Sequence, residues 1–420
     1  MVVDSLSNLT REGRVVRLKK NHYALPDGQN LVLGRVRAHP HGYGFLIADD
    51  KTTEDLYLNR REMRPLMHGD HVMVRVERKK RGGIEAHVVQ ILERGQKRIV
   101  GTYNEFDGKG YLIPMDPRVT TAIPLKSSAA KPQQGKVVAA EISRYGTAMS
   151  PPEGELLQII GDPDNPEVQV QSIVFRYGLT ESFPEPVHRE IASQSFAIGA
   201  PEIAARTDLR DLPIVTIDGE LARDFDDAVY VRKTSRHYEL FVSIADVAFY
   251  VQPGTALDQE AYGRATSVYF PDRAIPMLPE AFSNGICSLN PSADRLTKTV
   301  CMEINGKGEI ARSRFFNSVI RSRERMTYTN VRKILLDKDP ECLERYRELV
   351  DQFKLMEELA LLIYETRTAR GNLDFDLPEA EIILDIQGMP ENILRAERNI
   401  AHRIIEEFMI AANESVARNL

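Results

Sequence analysis

Four aspartates, Asp218, Asp224, Asp226 and Asp227, fall within ten residues of the run Thr-Ile-Asp-Gly-Glu-Leu-Ala-Arg-Asp-Phe-Asp-Asp-Ala-Val-Tyr at 216–230. Apolar residues of β type flank them at 213–217 and 228–231, so the cluster is expected between two buried strands. Carboxylates this close in a desolvated cleft cannot all ionise unless a cation offsets them, and Arg223 is the one basic residue inside the run. A hard divalent cation meets that need. An oxygen-only donor set without His or Cys suits Mg²⁺ or Mn²⁺, and such ions beside several carboxylates are equipped to attack a phosphodiester. A bland reading competes: in a chain with 61 Asp and Glu, four acids in a loop also describe a solvated turn. A calcium loop of EF-hand type is excluded, because the twelfth position counted from Asp224 is Ser235 and from Asp218 is Val229, where a bidentate Glu is required. The flanking strands favour a site.

The elements that position this run follow from the rest of the chain. Its 420 residues suffice for two to four domains. No apolar run approaches membrane-spanning length and residues 1–10 lack the pattern of a signal peptide, so the expectation is a cytoplasmic, monomeric protein with no membrane partner. Cys287, Cys301 and Cys342 are odd in number and widely spaced, which argues against a disulfide framework or a zinc site. The net charge of −6 averages unlike halves, since residues 1–100 hold 19 Lys and Arg against 12 Asp and Glu. A basic front end joined to an acidic body suits a grip on a polyanion ahead of a metal-binding centre.

An internal repeat organises that front end. Gly-Tyr-Gly-Phe-Leu-Ile at 42–47 recurs 66 residues later as Gly-Lys-Gly-Tyr-Leu-Ile, and His-Gly-Asp-His-Val-Met-Val-Arg-Val at 68–76 recurs at the same spacing as Gln-Gly-Lys-Val-Val-Ala-Ala-Glu-Ile. Two copies of a β-rich unit with Gly turns predict two small five-stranded barrels. Tyr43 and Phe45 sit two apart and share one side of a strand, while Tyr57 alternates with Leu56 and Leu58, which should turn inward. Such a face resembles the cold-shock type of oligonucleotide-binding fold, whose exposed aromatics stack on unpaired bases. In the second copy Tyr111 and Ala-Ile-Pro at 122–124 stand in their places, which suits backbone contact or a spacer better than base stacking. Residues 9–33 have the texture of a short β-ribbon, and 150–186 read as a loop-rich linker. Beyond it, spacing predicts helices over 187–206, 255–268, 327–338, 340–370 and 395–420, with strands at 238–245, 296–305 and 309–319.

The aspartate run, followed by Ser-Ile-Ala-Asp-Val-Ala at 243–248 and Tyr-Phe-Pro-Asp-Arg-Ala-Ile-Pro-Met-Leu-Pro at 269–279, resembles the catalytic domain of the ribonuclease II superfamily. Similar segments extend from residue 9 to the last residue. The resemblance implies two tandem all-β OB barrels of cold-shock type followed by an α+β RNB catalytic domain. The implied divisions are a remnant of an N-terminal winged-helix region at 1–33, a first barrel at 34–95, a second barrel with linker at 96–180, and the catalytic domain at 181–420. It further implies processive hydrolysis of single-stranded RNA from the 3′ end with two metal ions, releasing nucleoside 5′-monophosphates. Residue by residue, Asp218, Asp224, Asp226 and Asp227 match the family's metal-site aspartates, with Asp226 expected to matter most to the rate. Tyr269 matches a tyrosine that holds the terminal nucleotide, and Phe375, in Asn-Leu-Asp-Phe-Asp at 372–376, matches an aromatic that clamps the 3′-terminal bases. Without the resemblance, either would be read as a core aromatic.

The family's catalytic domain continues into an arginine-rich motif, a further glutamate and an S1-type barrel that lie outside these 420 residues. The expectation is therefore a fragment, truncated at both ends, that binds RNA weakly and cleaves slowly or not at all. The alternative is a non-catalytic RNA-binding protein that has kept its barrels while its nuclease domain is inactive or incomplete; retention of all four aspartates argues for the enzyme. An NTP-using enzyme lacks a phosphate-binding glycine motif.

Overall fold

A computed structural model describes residues 5–6, 9–10, 14–17, 23–25, 30–78, 84–126, 132–194, 196–373, 377, 380–385, 387–395 and 398–420. The chain divides into two compact units, Met1–Thr180 and Glu181–Leu420.

The first unit opens with a minimal ribbon, β1 (Val16–Arg17) against β2 (Tyr23–Ala24). Two five-stranded sheets follow. One contains β3 (Leu31–Ala38), β4 (Gly44–Ala48), β5 (Leu56–Leu58), β6 (His71–Arg78) and β7 (Ile84–Glu93) in the order β5-β4-β3-β6-β7. The other contains β8 (Arg98–Phe106), β9 (Lys109–Pro114), β10 (Ile123–Pro124), β11 (Val137–Arg144) and β12 (Glu153–Gly161) in the order β10-β9-β8-β11-β12, the same topology repeated. Each curls around alternating apolar residues: Val36, Leu46, Leu58, Val72 and Val74 in the first, Ile99, Leu112, Ile123, Val138 and Ala140 in the second. The repeat extends to the backbone. Gly69 and Gly135 both take φ +84°, a left-handed conformation that costs a glycine nothing. A Cβ on Gly34 or on Gly101 would lie 2.2 Å from the carbonyl oxygen of Ile47 or Ile113, so both barrels need glycine where neighbouring strands close.

The expected linker at 150–186 is largely ordered structure. β12 pairs along β11, and α1 (Pro166–Tyr177) packs Val168 against Val100, Val137 and Ala139. The helix carries ordinary punctuation that the prolines obscured: Asn165 caps Glu167 N, Pro166 opens the first turn, and Gly178 ends it at φ +64°.

The second unit is built on a seven-stranded sheet. Its strands are β13 (Thr207–Asp208), β14 (Val215–Asp218), β15 (Asp227–Lys233), β16 (Tyr238–Ala245), β19 (Asp294–Ile304), β20 (Ile310–Arg321) and β21 (Glu324–Thr327), in the order β13-β20-β19-β16-β15-β14-β21. A separate strand pair is formed by β17 (Val268–Tyr269) and β18 (Ala274–Ile275), and another by β22 (Ala380–Leu384) and β23 (Pro390–Arg395). Central strand β16 is buried on both faces, with Leu240 and Val242 in one core and Phe241 in the other.

The helices are more broken than sequence periodicity predicts. The span 187–206 divides into α2 (Glu185–Ser193) and α3 (Ala200–Ala204), where Gly199 and Pro201 favour a fresh start. The next helix is α4 (Ala256–Arg264), capped by Thr255. The span 327–338 gives α5 (Tyr328–Arg332) and a wider-wound turn, and 340–370 gives α6 (Pro340–Arg345) and α7 (Val350–Ala369). The last helix, α8 (Ile400–Asn419), begins at a capping box on Asn399, whereas Arg395, where the spacing starts the helix, ends β23. Phe353, Met356 and Leu359 of α7 and Ile404 and Phe408 of α8 cover one sheet face. The buried Arg367–Glu407 ion pair (2.7 and 2.8 Å) locks the two helices together.

Candidate active site

The aspartate run joins two neighbouring antiparallel strands. Val215 pairs with Val229, so Asp218 at the end of β14 and Asp227 at the start of β15 come to the same end of the sheet. Between them, residues 219–226 are fixed by one ring and a set of hydrogen bonds. Phe225 is buried in the second core, leaving Asp224 half-buried and Asp226 exposed on either side of it. Phe225 N donates to Ser288 Oγ (3.1 Å), and Ser288 Oγ donates to the Arg223 carbonyl (3.0 Å). Leu289 N donates to the Phe225 carbonyl (2.8 Å), and Ala245 N to that of Asp226 (2.9 Å). On the other flank Arg325 Nη2 donates to the carbonyls of Gly219 (2.9 Å) and Glu220 (2.7 Å), with its guanidinium 5.2 Å from the centre of the Phe225 ring.

The four carboxylates feel one another. Burial pushes Asp218 up to about 7, reinforced by the charges of Asp227, Asp224 and Asp226 and opposed by Arg325. Burial and then the Asp226 charge raise Asp227 to about 6. Asp226 itself is raised by lost solvation and by Asp224, even though its side chain reaches solvent. Asp224 Oδ2 accepts a hydrogen bond from the Tyr269 hydroxyl at 2.7 Å, which raises the tyrosine above its usual value. Asp218 Oδ2 is buried without any hydrogen-bond partner, an expensive arrangement for a carboxylate oxygen. Oxygen-only donors, mutual repulsion and an orphaned buried oxygen fit a divalent cation. Among the described residues, no three His, Cys, Asp or Glu side chains form a ready-made metal cage.

Tyr269, 66% exposed on β17, stands beside the aspartates through its bond to Asp224. Phe375 lies outside the described residues. Tyr43, Phe45 and Tyr57 belong to the first unit, where they form one aromatic face: ring centres are 5.9 Å apart for Tyr43–Phe45, 5.7 Å for Tyr43–Tyr57 and 5.9 Å for Phe45–Tyr57. Phe45 and Tyr57 are directly opposed across β4 and β5, and Leu56 and Leu58 point into the core.

Sequence reasoning missed the residues that brace the loop. Arg325 reaches it because β21 pairs in parallel with β14, aligning Asp218 with Thr327, a long-range pairing that no local pattern announces. Ser288 lies in a Pro- and Asn-rich coil that carried no signal of its own. Tyr328 was placed on a helix, yet its hydroxyl is raised to about 12 by burial and by the charges of Asp218 and Asp227, and its ring stacks on His402 at 3.9 Å.

Two β-barrels of oligonucleotide-binding topology and a mixed sheet ending in a carboxylate loop describe a nuclease-like architecture, and comparison with known proteins specifies it. Residues 206–420 match the RNB domain, 34–91 the ribonuclease B OB domain and 111–184 the cold shock domain. The chain belongs to the ribonuclease R family. It is 39% identical over 417 residues to ribonuclease R of Aquifex aeolicus, covering 99% of this chain and 58% of the relative. Against ribonuclease R of Acidithiobacillus ferrooxidans it is 41% identical over 374 residues, covering 88% of this chain and 85% of that one. The structure of Mycoplasma genitalium RNase R in complex with ribose-methylated single-stranded RNA superposes with a TM-score of 0.82 at 26% identity, covering 93% of this chain and 62% of that one. Yeast Ssd1, described as a pseudonuclease, shares the fold at 18% identity with a TM-score of 0.73, covering 99% of this chain and 56% of that one. The chain spans 58% and 51% of the lengths of the Aquifex aeolicus and Escherichia coli relatives. Among the described residues, no helix is long and apolar enough to cross a membrane.

Proposed function

We propose that this chain carries the hydrolytic centre of a 3′→5′ exoribonuclease that removes nucleoside 5′-monophosphates processively from single-stranded RNA, as a cytoplasmic monomer using Mg²⁺ or Mn²⁺. The observation that carries the reading is the buried, unpartnered Oδ2 of Asp218 within four mutually repelling carboxylates. When bound, a divalent ion supplies the positive charge that acidifies a water and offsets the charge on the leaving 3′ oxygen. Asp218, Asp224, Asp226 and Asp227 would hold it. Arg325 and Ser288 keep the loop carbonyls in place, so the carboxylates are presented from a braced backbone. Tyr269 orients Asp224 and stands exposed where a terminal nucleotide can meet it. Asp226, the carboxylate open to solvent, is best placed to orient the attacking water.

The test is single-nucleotide release from a 3′-labelled oligoribonucleotide with Mg²⁺ present, alongside RNA binding by fluorescence anisotropy. Asp226→Asn should lower turnover by roughly a hundredfold or more, as loss of a group acting in the transition state does, while leaving RNA affinity within about twofold. RNA binding by the unaltered chain without any nucleotide release overturns the assignment in favour of a non-catalytic RNA-binding module, and equal measurable turnover in both proteins overturns the role given to Asp226.

A further inference from the structure

Tyr269 reaches Asp224 from a ribbon too small to aim itself. β17 and β18 share two residue pairs, Val268 with Ile275 and Tyr269 with Ala274, and the turn beyond them closes on one backbone bond, Phe270 N to the Arg273 carbonyl at 2.7 Å. A two-stranded ribbon of this length holds no direction of its own in water. The direction comes from its foot, where Arg264 ends α4. Only 10% of the Arg264 side chain is exposed, and every nitrogen of its guanidinium is engaged. Nε donates to Glu260 Oε1 one turn back (2.9 Å), Nη1 to the Pro276 carbonyl on the returning leg of the ribbon (3.2 Å) and Nη2 to the Ser182 carbonyl (2.8 Å). Its guanidinium carbon lies 3.8 Å from the centre of the Phe183 ring. The outgoing leg starts at the next residue. Ala265 takes φ +62° and ψ −33°, a costly conformation for a residue with a Cβ, and Thr266 N folds back on the Arg264 carbonyl at 2.8 Å. Such strain persists where the surroundings over-determine the backbone, as the contacts of Arg264 do here. Burial of Ile275 also anchors the returning leg, but apolar contact is non-directional. The arginine fork has fixed donor directions and sets the angle.

We propose that Arg264 is a positioning residue of the nuclease site, the clamp that fixes both legs of the β17–β18 ribbon and so aims Tyr269 at Asp224. This rests on the reading of the four aspartates as a hydrolytic centre and adds to it a residue that acts through Tyr269. A largely buried ion pair contributes little net stability once desolvation is counted, so the Arg264–Glu260 pair alone does not account for an arginine at this place. A lysine could supply the charge, but not two carbonyl bonds in fixed directions besides.

The experiment reads the position of Tyr269 directly, by fluorine NMR of the intact chain carrying 3-fluorotyrosine at its 15 tyrosines. The Tyr269 resonance is the one lost in Tyr269→Ala, and Asp224→Ala shows where it moves when the bond to Asp224 is gone. Arg264→Met should shift it towards that position while the other tyrosine resonances stay in place, which also shows that the variant folds. Arg264→Lys keeps the charge opposite Glu260 without reaching both carbonyls and should shift it in the same direction; it carries the test should Arg264→Met not fold. Ala265→Gly relieves the turn and removes no contact of Arg264, so it should raise the thermal midpoint and leave the resonance in place. In nucleotide release, Arg264→Met should lower turnover by about tenfold, and adding it to Tyr269→Ala should lower that variant further by less than about twofold. An unmoved resonance in the Arg264 variants, a shift in Ala265→Gly alone, or multiplied losses in the double variant overturns the clamp and leaves the nuclease reading intact. No nucleotide release by the unaltered chain overturns the nuclease reading, and the resonances then decide by themselves whether Arg264 aims Tyr269.

Discussion

The two barrels of the first unit share a strand order, a 66-residue period and positive-φ glycines, yet they present different surfaces. The first gathers His39, Tyr43, Phe45 and Tyr57 into one array. In the second, Phe106 and Tyr111 lie 6.0 Å apart, and Tyr111 pairs across the strands with Pro124 where the first barrel sets Phe45 against Tyr57. Positions facing inward are held by packing, which tolerates little change. Outward positions are free to be spent on binding or lost. The comparison teaches that the repeat preserves a barrel twice but the four-ring aromatic array once.

The largest expected effects test the shared part. Leu46 and Leu112 occupy equivalent places 66 residues apart and are both fully buried. Leu46→Ala and Leu112→Ala should each destabilise the first unit by about 2–5 kcal/mol, measured by denaturant unfolding. A loss below about 1 kcal/mol at one site would mean that its barrel is packed differently. The next effect tests what is not shared. Phe45→Ala and Tyr57→Ala should each weaken RNA binding by about 1–3 kcal/mol, whereas Tyr111→Ala should change it by less than about 0.5 kcal/mol. Equal losses at Tyr57 and Tyr111 would erase the functional distinction between the barrels.

How much of this could be read in the sequence depended on whether the cause was local. The barrels were legible because Gly turns and alternating apolar residues are short-range patterns that occur twice. The aspartates were legible as a group because they are neighbours in the chain. Arg325, 107 residues from Asp218, was not, since only the parallel pairing of β14 and β21 brings it to the loop. The stretch at 150–186 was misread because its prolines were weighed as breakers, although Pro166 after Asn165 opens a helix and Gly178 closes it. Long helices were overextended wherever apolar spacing survived a break, as between α6 and α7, where the wheel pattern continues but the backbone does not.

A smaller effect sharpens the comparison at the second barrel's own charge cluster. Asp116 is buried between Arg118 and Arg176, with Arg118 Nη1 also bonded to His68 Nε2 of the first barrel at 2.8 Å. Burial alone would push the Asp116 carboxyl up, but the hydrogen bonds and charges of the two arginines outweigh it and hold it below its usual value. A carboxyl depressed in the folded state contributes stability that is complete above its unfolded pKa, about 3.9, and is lost as pH falls through the folded value. Unfolding of the intact chain followed from pH 6 to pH 2.5 should therefore show a steeper acid loss than in Asp116→Asn. The difference should be roughly 1 kcal/mol, because both arginines keep about a third of their side chains in water. Parallel profiles for the two proteins would mean that Asp116 titrates alike in the folded and unfolded chain, and that the arginines hold the barrels through packing rather than charge.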